Sequence, residues 1–520
     1  MKLIKYTLVV LSLMMAVTSC QDALQLSPED YYGDGNFWQN EAQVNNFMVG
    51  MHKQFRDNQF MFVRLGEMRG GGFSNIDRMN TSLNELPIIE QRIDENSSGV
   101  TSWAGMYGPI LQINLFISKV NEIGFLSADK RDYLLAQAHA LRAYYYFQLL
   151  RTYGGVPIRT EPEVSNGITD PLALQKARST EAEVLSLIKE DVNKSVTLFG
   201  NSAVPADKSL WNRHASLMLK GEVYLWSAKV YNTTADLAEA KTALNAITGT
   251  SLQPSFANVF SYGNKNNNEI ILAIRYRVGE EEMSNVANFT YSLFNFDNLH
   301  VKDSTTTSPT LVDPIAIGAP NSKQIIQRYA YTFELFQSYQ PGDKRRNVTF
   351  YDFYKTSEGT PPIVTIRNTV LVKFLGTIDA NKRWFSDDWT VYRESERLLM
   401  LAEIANAEGS DPGSFIKLVR DRAFAPDADP SPFVNGSKDA NELAIFAERS
   451  KEFVYEGKRW YDARRMKYGN DPLVFISTSH PYGVLDKTTQ SYKVLWPVES
   501  AIWTNDPLVV QTSGYPSAKP

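Results

Sequence analysis

The sequence predicts a mainly α-helical protein in which paired helices form a scaffold, interrupted by long irregular loops and a few short strands. Three observations favour this fold class. Apolar residues recur at helical spacing through much of the 520-residue chain. Hydrophobic residues make up 43% and charged residues 21%, which is the balance of a folded globular protein. Two long stretches between the helical blocks are rich in Gly, Asn, Thr and Asp, which is typical of loops.

Helical periodicity is found in nine segments. They are 40–60, 104–123, 127–153, 179–197, 213–231, 235–247, 391–408, 412–423 and 441–467. In the third, five apolar residues recur at steps of three and four and therefore share one helix face, which we expect to be buried: Leu134, Ala138, Leu141, Tyr145 and Leu149.

Capping signals mark the ends of that third segment. Ser127 followed by Asp129 is an N-terminal cap with a first-turn acid, and Gly154-Gly155 followed by Pro157 opposes continuation of the helix. The adjacent segments 213–231 and 235–247 indicate a helical hairpin, although no regular repeat of about 34 residues is present.

We predict a single domain, 20–520, in which the helical scaffold comprises 40–280 and 391–467. The irregular regions 61–103 and 281–390 are long enough to be functional loops, and we expect them to face the ligand. A short strand fits Glu269 to Tyr276. The tail 471–520 should wrap the body as coil.

The N-terminus has the pattern of an export signal. Lys2 and Lys5 precede an apolar run from Leu8 to Val17, which is too short for a permanent membrane span. Val17-Thr18-Ser19-Cys20 follows and resembles a bacterial lipobox, in which small residues precede a cysteine that becomes acylated. We therefore expect removal of residues 1–19 and lipidation of Cys20, the sole cysteine. The alternative is an ordinary signal peptide with an accidental cysteine.

Several function classes lack their sequence signals. The net charge of −5 and the lack of a Lys or Arg run argue against nucleic-acid binding. The five histidines include no pair at helical spacing, so no metal site and no cofactor is expected. Neither a nucleophile elbow nor a phosphate-binding loop is present. A pair of carboxylates acting as a glycosidase remains open, because such enzymes need only two carboxyl groups at the right separation.

A dense set of charges near the C-terminus invites a catalytic or metal-binding interpretation. Glu448, Glu452 and Glu456 recur at steps of four and share a helix face. Arg459, Arg465 and other basic residues accompany them, so we interpret the set as a structural network of ion pairs. Glu403, which lies among apolar residues, is assigned to the same kind of network.

Motifs along most of the chain resemble the SusD/RagB family. A helix containing Ala136 to Phe147 ends in Tyr153-Gly154-Gly155-Val156-Pro157. Further matches follow in the family's order: Arg178 to Glu181, Tyr392-Arg393, Leu399 to Glu403, Val419 to Ala423, Glu448 to Phe453, Glu456 to Asp462, Arg464-Arg465, Leu495 to Val498, Asn505 to Pro507, and Tyr515.

The resemblance implies a scaffold of tetratricopeptide-like helical pairs and a non-enzymatic lipoprotein on the outer face of an outer membrane. Such a protein would sit as a lid over a SusC-type TonB-dependent transporter and deliver oligosaccharides. Oligopeptide ligands are the alternative within the family. A secreted glycoside hydrolase on a helical scaffold is the alternative from another class.

Candidate ligand residues come from the two irregular regions. The segment from Arg69 to Arg78 lies where the family places a loop beside its ligand, although its three glycines could equally serve a tight turn. Aromatic side chains in the second region could bind a ligand or pack as core under the loops. The candidates are Phe73, Asn75, Arg78, Tyr291, Phe294, Phe296 and Trp384.

Overall fold

The computed structural model describes residues 37–74, 85–97, 101–168, 170–286, 289, 299–301, 329–356, 364–380, 382–476 and 485–516. Helices dominate this part of the chain. The first half contains α1 (Glu41–Asp57), α2 (Gln59–Gly66), α3 (Leu86–Ile89), α4 (Ala104–Glu122), α5 (Ala128–Tyr153), α6 (Glu181–Phe199), α7 (Arg213–Val230), α8 (Asp236–Asn245) and α9 (Phe256–Phe260).

The second half contains shorter helices and a second set of long ones. They are α10 (Phe333–Gln337), α11 (Arg345–Thr349), α12 (Glu394–Ala407), α13 (Gly413–Phe424), α14 (Lys438–Glu452), α15 (Arg459–Arg465), α16 (Lys487–Gln490) and α17 (Ser500–Asn505). The predicted mainly α-helical fold is confirmed. The segment predicted at 441–467 is two helices, because residues 453–458 form a turn in which Tyr455 and Gly457 have positive φ angles of 63° and 71°.

Local capping explains why the long helices begin and end where they do. The Ser127 hydroxyl accepts the N–H of Lys130 at the start of α5, and Gly154 ends the helix with φ of 75°. At the start of α6, Thr180 and Glu183 form a reciprocal capping box. The boundaries of α5 were predicted from Ser127 and Gly154, whereas the capping box of α6 was not.

The burial of α5 exceeds the prediction of one apolar face. Every residue from Leu134 to Tyr153 is buried, including polar ones. The helix can be buried on all sides because its polar side chains have internal partners. Arg142 pairs with Asp191 of α6 at 2.7 Å, and Arg151 pairs with Glu222 of α7 at 2.5 Å.

Consecutive helices pack against one another as the pairing predicted. Contacts join α4 to α5, α5 to α6, α7 to α8, and α12 to α13. The buried apolar side chains form one contiguous core that extends from Val44 in α1 to Val509 near the C-terminus. The part of the chain described here contains no helix long and apolar enough to cross a membrane.

Short antiparallel strands add to the helical scaffold. They are β1 (Phe73–Ser74), β2 (Ile270–Ile274), β3 (Leu299–Val301), β4 (Ala330–Tyr331), β5 (Phe350–Thr356), β6 (Val364–Leu371), β7 (Thr377–Asp379), β8 (Lys382–Trp384), β9 (Trp389–Arg393), β10 (Lys467–Tyr468) and β11 (Asp471–Pro472). The pairs are β1 with β4, β2 with β9, β7 with β8, and β10 with β11, while β3, β5 and β6 form a three-stranded sheet in that order.

Strand β2 is the strand that the sequence predicted within Glu269 to Tyr276. The expectation that 281–390 is simply irregular is wrong for its described part, because that part contains β3 to β8, the start of β9 and two short helices. Residues 61–66 are also helical and belong to α2. Strands β4 and β9 pair with the distant β1 and β2, which a local pattern does not show, whereas β5–β6 and β7–β8 are local hairpins in a stretch whose composition is typical of loops.

The C-terminal segment runs over the helical body, as predicted, and adds the short helices α16 and α17. Trp496 is fully buried, and its backbone N–H donates to the carbonyl of Thr152 at the end of α5 at 2.7 Å. Arg178 donates to the carbonyl of Val510 at 3.0 Å. Backbone contacts of this kind hold the described part of the tail against the long helices.

Candidate ligand site and buried charge network

Two strands bring the edges of the predicted ligand loops together. Phe73 pairs with Tyr331 and Ser74 with Ala330 in the β1–β4 ladder. Phe289 packs on the same strands, with ring centroids 5.8 Å from Phe73 and 5.2 Å from Tyr329. The chain therefore leaves for segments 75–84 and 290–298, and returns from segment 302–328, at one place on the body.

These segments lie outside the described residues and contain five of the predicted ligand residues: Asn75, Arg78, Tyr291, Phe294 and Phe296. Cys20, near the N-terminus, also lies outside the described residues. Their roles stay predictions.

Phe73 does not occupy the position expected of a ligand contact. Its side chain is fully buried, and its ring centroid is 4.5 Å from that of Tyr331. Strand pairing turns this side chain into the aromatic core, where a ligand at the surface does not reach it. The assignment of Phe73 as a ligand contact is therefore corrected to a core role beneath the loops.

A buried carboxylate that the sequence analysis did not identify bonds to the β1–β4 strand pair. Glu67, at the end of α2, is buried and accepts hydrogen bonds from the Tyr331 hydroxyl at 2.7 Å and from the backbone N–H groups of Tyr455 and Gly457 at 2.8 Å each. Burial raises the pKa of this carboxyl, and the donors partly offset that rise. A lone acid at the end of an apolar helix is the only sequence signal for such a role.

The three glycines after Glu67 serve a close approach of chain segments. A Cβ at Gly70 would lie 2.8 Å from Cγ of Arg459, and one at Gly72 would lie 3.3 Å from its Cδ. Arg459 donates through Nε to the carbonyl of Gly70 at 2.7 Å. Gly71, between them, has a φ angle of 72°, so the geometry favours the alternative of a tight turn, and Gly70 and Gly72 also allow the approach of Arg459.

Trp384 lies on the β7–β8 hairpin and is half-buried. The ammonium of Lys382 is 3.6 Å from the centroid of the Trp384 ring, and the same ammonium is 2.9 Å from the carboxylate of Glu282. Gly376 begins the hairpin with φ of 70°, and a Cβ there would lie 1.9 Å from the carbonyl oxygen of Trp384. The turn therefore requires glycine and fixes the backbone that carries the indole.

Hydrogen bonds tie the hairpin to the chain that leads into the aromatic cluster. The carboxylate of Glu282 accepts the N–H of Phe385 at 3.1 Å, and the N–H of Met283 donates to the Phe385 carbonyl at 2.8 Å. Asp387 is buried and accepts the N–H of Gly376 at 2.6 Å. Burial raises the pKa of Asp387 to about 7. A partly exposed indole beside an ammonium can stack on a ligand ring and hydrogen-bond to its edge.

The carboxylates predicted as a structural network lie among buried cations. Glu452 is fully buried and accepts from Arg345 at 2.9 Å, from Arg393 at 2.6 Å and also from Arg422. Because these guanidinium groups come from α11, the end of β9 and α13, one carboxylate joins three elements to α14.

The other predicted acids also pair with buried cations. The pairs are Glu448 with Arg345 at 2.5 Å and with Arg420 at 3.3 Å, Glu456 with Arg393 at 2.8 Å and with Lys373 at 2.5 Å, and Glu403 with Arg465 at 2.8 Å and with Lys229 at 2.9 Å. Arg459 belongs to a different place, where it donates to Gly70 and Ser450. The stabilising role of the network stays a prediction.

Acid should destabilise the fold through these carboxylates. Burial alone would raise their pKa values, but the neighbouring cations lower the pKa below the ordinary value for a set that comprises Glu222, Glu403, Glu448, Glu452 and Glu456. A pKa that is lower in the folded state stabilises the protein above the unfolded value of about 4.3, and this contribution is lost as pH falls below it.

Three buried acids act in the opposite direction, because burial raises the pKa of Glu67, Asp387 and Glu396. The lowered set is larger, so we expect the urea midpoint to fall between pH 5 and pH 3. Urea titrations at stepped pH values check this expectation, and a midpoint that rises with acid would contradict it.

Within the described ranges, no group of three or more His, Cys, Asp or Glu side chains is arranged to hold a metal ion. His139 lies beside Asp191 at 2.7 Å, and His52 accepts the backbone N–H of Trp211 at 3.0 Å. Both imidazoles therefore have partners within the helical body.

Comparison with known proteins gives matches over nearly the whole chain. Residues 24–225 match a family profile described as starch-binding associating with outer membrane, and residues 226–515 match the SusD/RagB profile, described as the SusD family. A SusD-like protein of Formosa agariphila is 25% identical over 99% of this chain and 99% of its own length.

Solved structures agree with these matches. A SusD superfamily protein of Bacteroides fragilis has a TM-score of 0.83 and 35% identity, and the alignment covers 92% of this chain and all of that one. The NanU protein of B. fragilis has a TM-score of 0.80 and 29% identity, with 95% of this chain and all of that one covered.

Proposed function

Because this chain belongs to the SusD/RagB family, we propose that it captures an oligosaccharide at the bacterial surface and passes it to a SusC-type TonB-dependent transporter. The observation that carries this proposal is that two adjoining family profiles together match residues 24–515. The first profile is described as starch-binding and outer-membrane associated, which favours a glycan over a peptide. The protein acts here by binding and performs no catalysis.

The ligand site that we propose includes Trp384 and the loops around it. The indole is partly exposed, stands beside Lys382, and is fixed by a tight hairpin. A rigid aromatic face binds a sugar ring at little entropic cost. The predicted contacts Asn75, Arg78, Tyr291, Phe294 and Phe296 belong to segments that meet the body at the β1–β4 pair, so we keep them in the proposal.

Ligand class is tested by a binding screen. The purified protein is titrated with panels of neutral and charged oligosaccharides and with oligopeptides of similar size. Binding confined to glycans supports the proposal, whereas binding confined to peptides would replace the ligand class while leaving the transport role. Release of reducing ends from any bound glycan would instead favour the glycoside hydrolase.

Trp384→Ala should weaken binding of the glycan found in that screen. Loss of an aromatic anchor typically costs about 2 kcal/mol or more, which corresponds to about thirtyfold weaker affinity. Calorimetric titration measures the affinity, and thermal unfolding verifies that the variant is folded.

Trp503→Ala is the matched control, because Trp503 is also half-buried but lies on α17 in the C-terminal segment. Its affinity should equal that of the unaltered protein. The site assignment is wrong if Trp384→Ala binds with undiminished affinity, or if it loses no more than Trp503→Ala.

A further inference from the structure

A cavity distant in sequence from the proposed ligand loops opens at the amino end of α7. Its volume is about 400 Å³. The residues before α7, the turn after α8 and the residues before β2 surround it, and the lining side chains include Lys208, Arg213 and His214. The remaining polar lining comes from side chains that carry a hydroxyl or an amide, among them Ser202, Thr248 and Asn268.

The cavity is electropositive, because its two permanent cations have no carboxylate partner in the described part of the chain. Arg213 donates through Nε to the carbonyl of Gly200 at 2.7 Å, and burial lowers the pKa of Lys208. Glu394, a carboxylate close enough to influence His214, is already paired with Arg397 at 2.5 Å. The positive charge that faces the cavity is therefore not neutralised from within.

His214 gives an independent indication of a ligand. Its side chain lines the cavity with only 8% of the residue exposed, and it makes no hydrogen bond to any residue that the structure describes. The pKa of His214 is lowered to about 4, chiefly by burial and also by the nearby Arg213, Lys208 and Arg397, while Glu394 acts in the opposite direction. Its ring nitrogens border the cavity and are within reach of solvent, so a molecule bound there would provide the hydrogen bond that no described residue supplies.

The backbone of α7 adds to the attraction for an anion. The helix has 18 residues, and its cap Asn212 uses its side chain for the N–H of Ala215. Arg213 and His214 occupy the first helical positions, where N–H groups have no partner within the helix. The amino end of a helix carries a partial positive charge that favours an oxyanion.

The volume of the cavity and its uncharged polar side chains indicate which class of ligand it could bind. A simple oxyanion would occupy only part of a cavity of about 400 Å³. The Ser202 and Thr248 hydroxyls and the Asn268 amide make no side-chain hydrogen bond to other described residues, so they are available to a hydroxylated ring. We propose that this cavity binds an acidic sugar unit, whose carboxylate or sulfate lies against Arg213, Lys208 and the amino end of α7.

Calorimetric titration of the purified protein tests this site with glucuronate, glucose 6-sulfate, glucose and inorganic sulfate at one ionic strength. We expect both acidic sugars to bind and glucose to give no signal. Arg213→Gln removes a charge-assisted contact and should weaken the acidic sugars about tenfold or more. Lys208→Gln provides a second variant, because the Lys208 side chain lines the cavity and is partly exposed.

Lys53→Gln is the matched control for charge. It removes one positive charge from an exposed pair with Asp57 on α1, at 2.7 Å, and should leave the affinity unchanged. NMR spectroscopy provides a measurement that distinguishes ligand binding from a purely structural role. Glucuronate should shift the imidazole resonances of His214 and raise its pKa.

The outcomes separate the parts of the proposal. Absence of binding by both acidic sugars, or unchanged affinity in both Arg213→Gln and Lys208→Gln, overturns the site. Glucose bound as tightly as glucuronate overturns the anionic character, and inorganic sulfate bound as tightly as glucuronate overturns the sugar. The inference does not depend on the hairpin site, so Trp384→Ala should bind glucuronate normally.

Discussion

Replacing Glu452 with alanine is expected to lower the free energy of unfolding by about 3–5 kcal/mol, because one member of a buried charge network is removed. The side chain is fully buried and accepts hydrogen bonds from Arg345, Arg393 and Arg422. Without it, three guanidinium groups in the core lose a shared counter-charge. Urea unfolding measures the change, and glycan affinity per folded molecule should be unchanged.

Glu408→Gln serves as the control for this experiment. Glu408 pairs with Lys241 at 2.7 Å on the surface, where both side chains are partly exposed to water. Exposed pairs contribute about 0–1 kcal/mol, so the control should unfold close to the unaltered protein. A Glu452→Ala protein that keeps its stability but loses the ligand would show that the carboxylate belongs to a binding site.

Replacing Cys20 with alanine is expected to release all of the protein from the membrane. Each buried acyl methylene contributes about 0.8 kcal/mol, so a cysteine with two or more acyl chains is held durably and a chain without them is not. Fractionation of cells that lack the partner transporter measures the change, since docking to the transporter could retain the protein. Mass spectrometry of the unaltered protein should find the acyl groups on Cys20.

Ser19→Ala is the matched control for the anchor, because alanine is also small and the lipobox requires small residues before the cysteine. This variant should remain acylated and membrane-bound. Recovery of Cys20→Ala in the membrane fraction of the transporter-free cells would refute the anchor that we propose.

Sequence patterns predicted the long helices because the signals that end a helix are local. The cap at Ser127 and the stop at Gly154 each involve residues within a few positions of one another. The single strand β2 was also found, since its aliphatic run is continuous. The remaining strands were not predicted. Strand β1 is short and pairs with a segment hundreds of residues away, whereas the local hairpins β5–β6 and β7–β8 lie in a region whose composition is typical of loops.

The candidate site shows the same division between local and distant information. The sequence singled out Trp384, but not the Lys382 ammonium that stacks on it or the requirement for glycine at position 376. It assigned Phe73 to the surface, whereas pairing with Tyr331 buries it. Glu67 was missed altogether, because its donors lie in β4 and in the turn after α14.

The sequence alone predicts the helical scaffold, the family, and a dense group of charged residues near Glu452. Which side chains contact one another depends on the tertiary structure. The partners of Glu452 lie 30, 59 and 107 residues away along the chain. The basic cavity gathers residues from position 202 to position 270. Capping and periodicity act over a few residues, whereas ion pairing, burial and cavity formation depend on distances that exist only after the helices have packed.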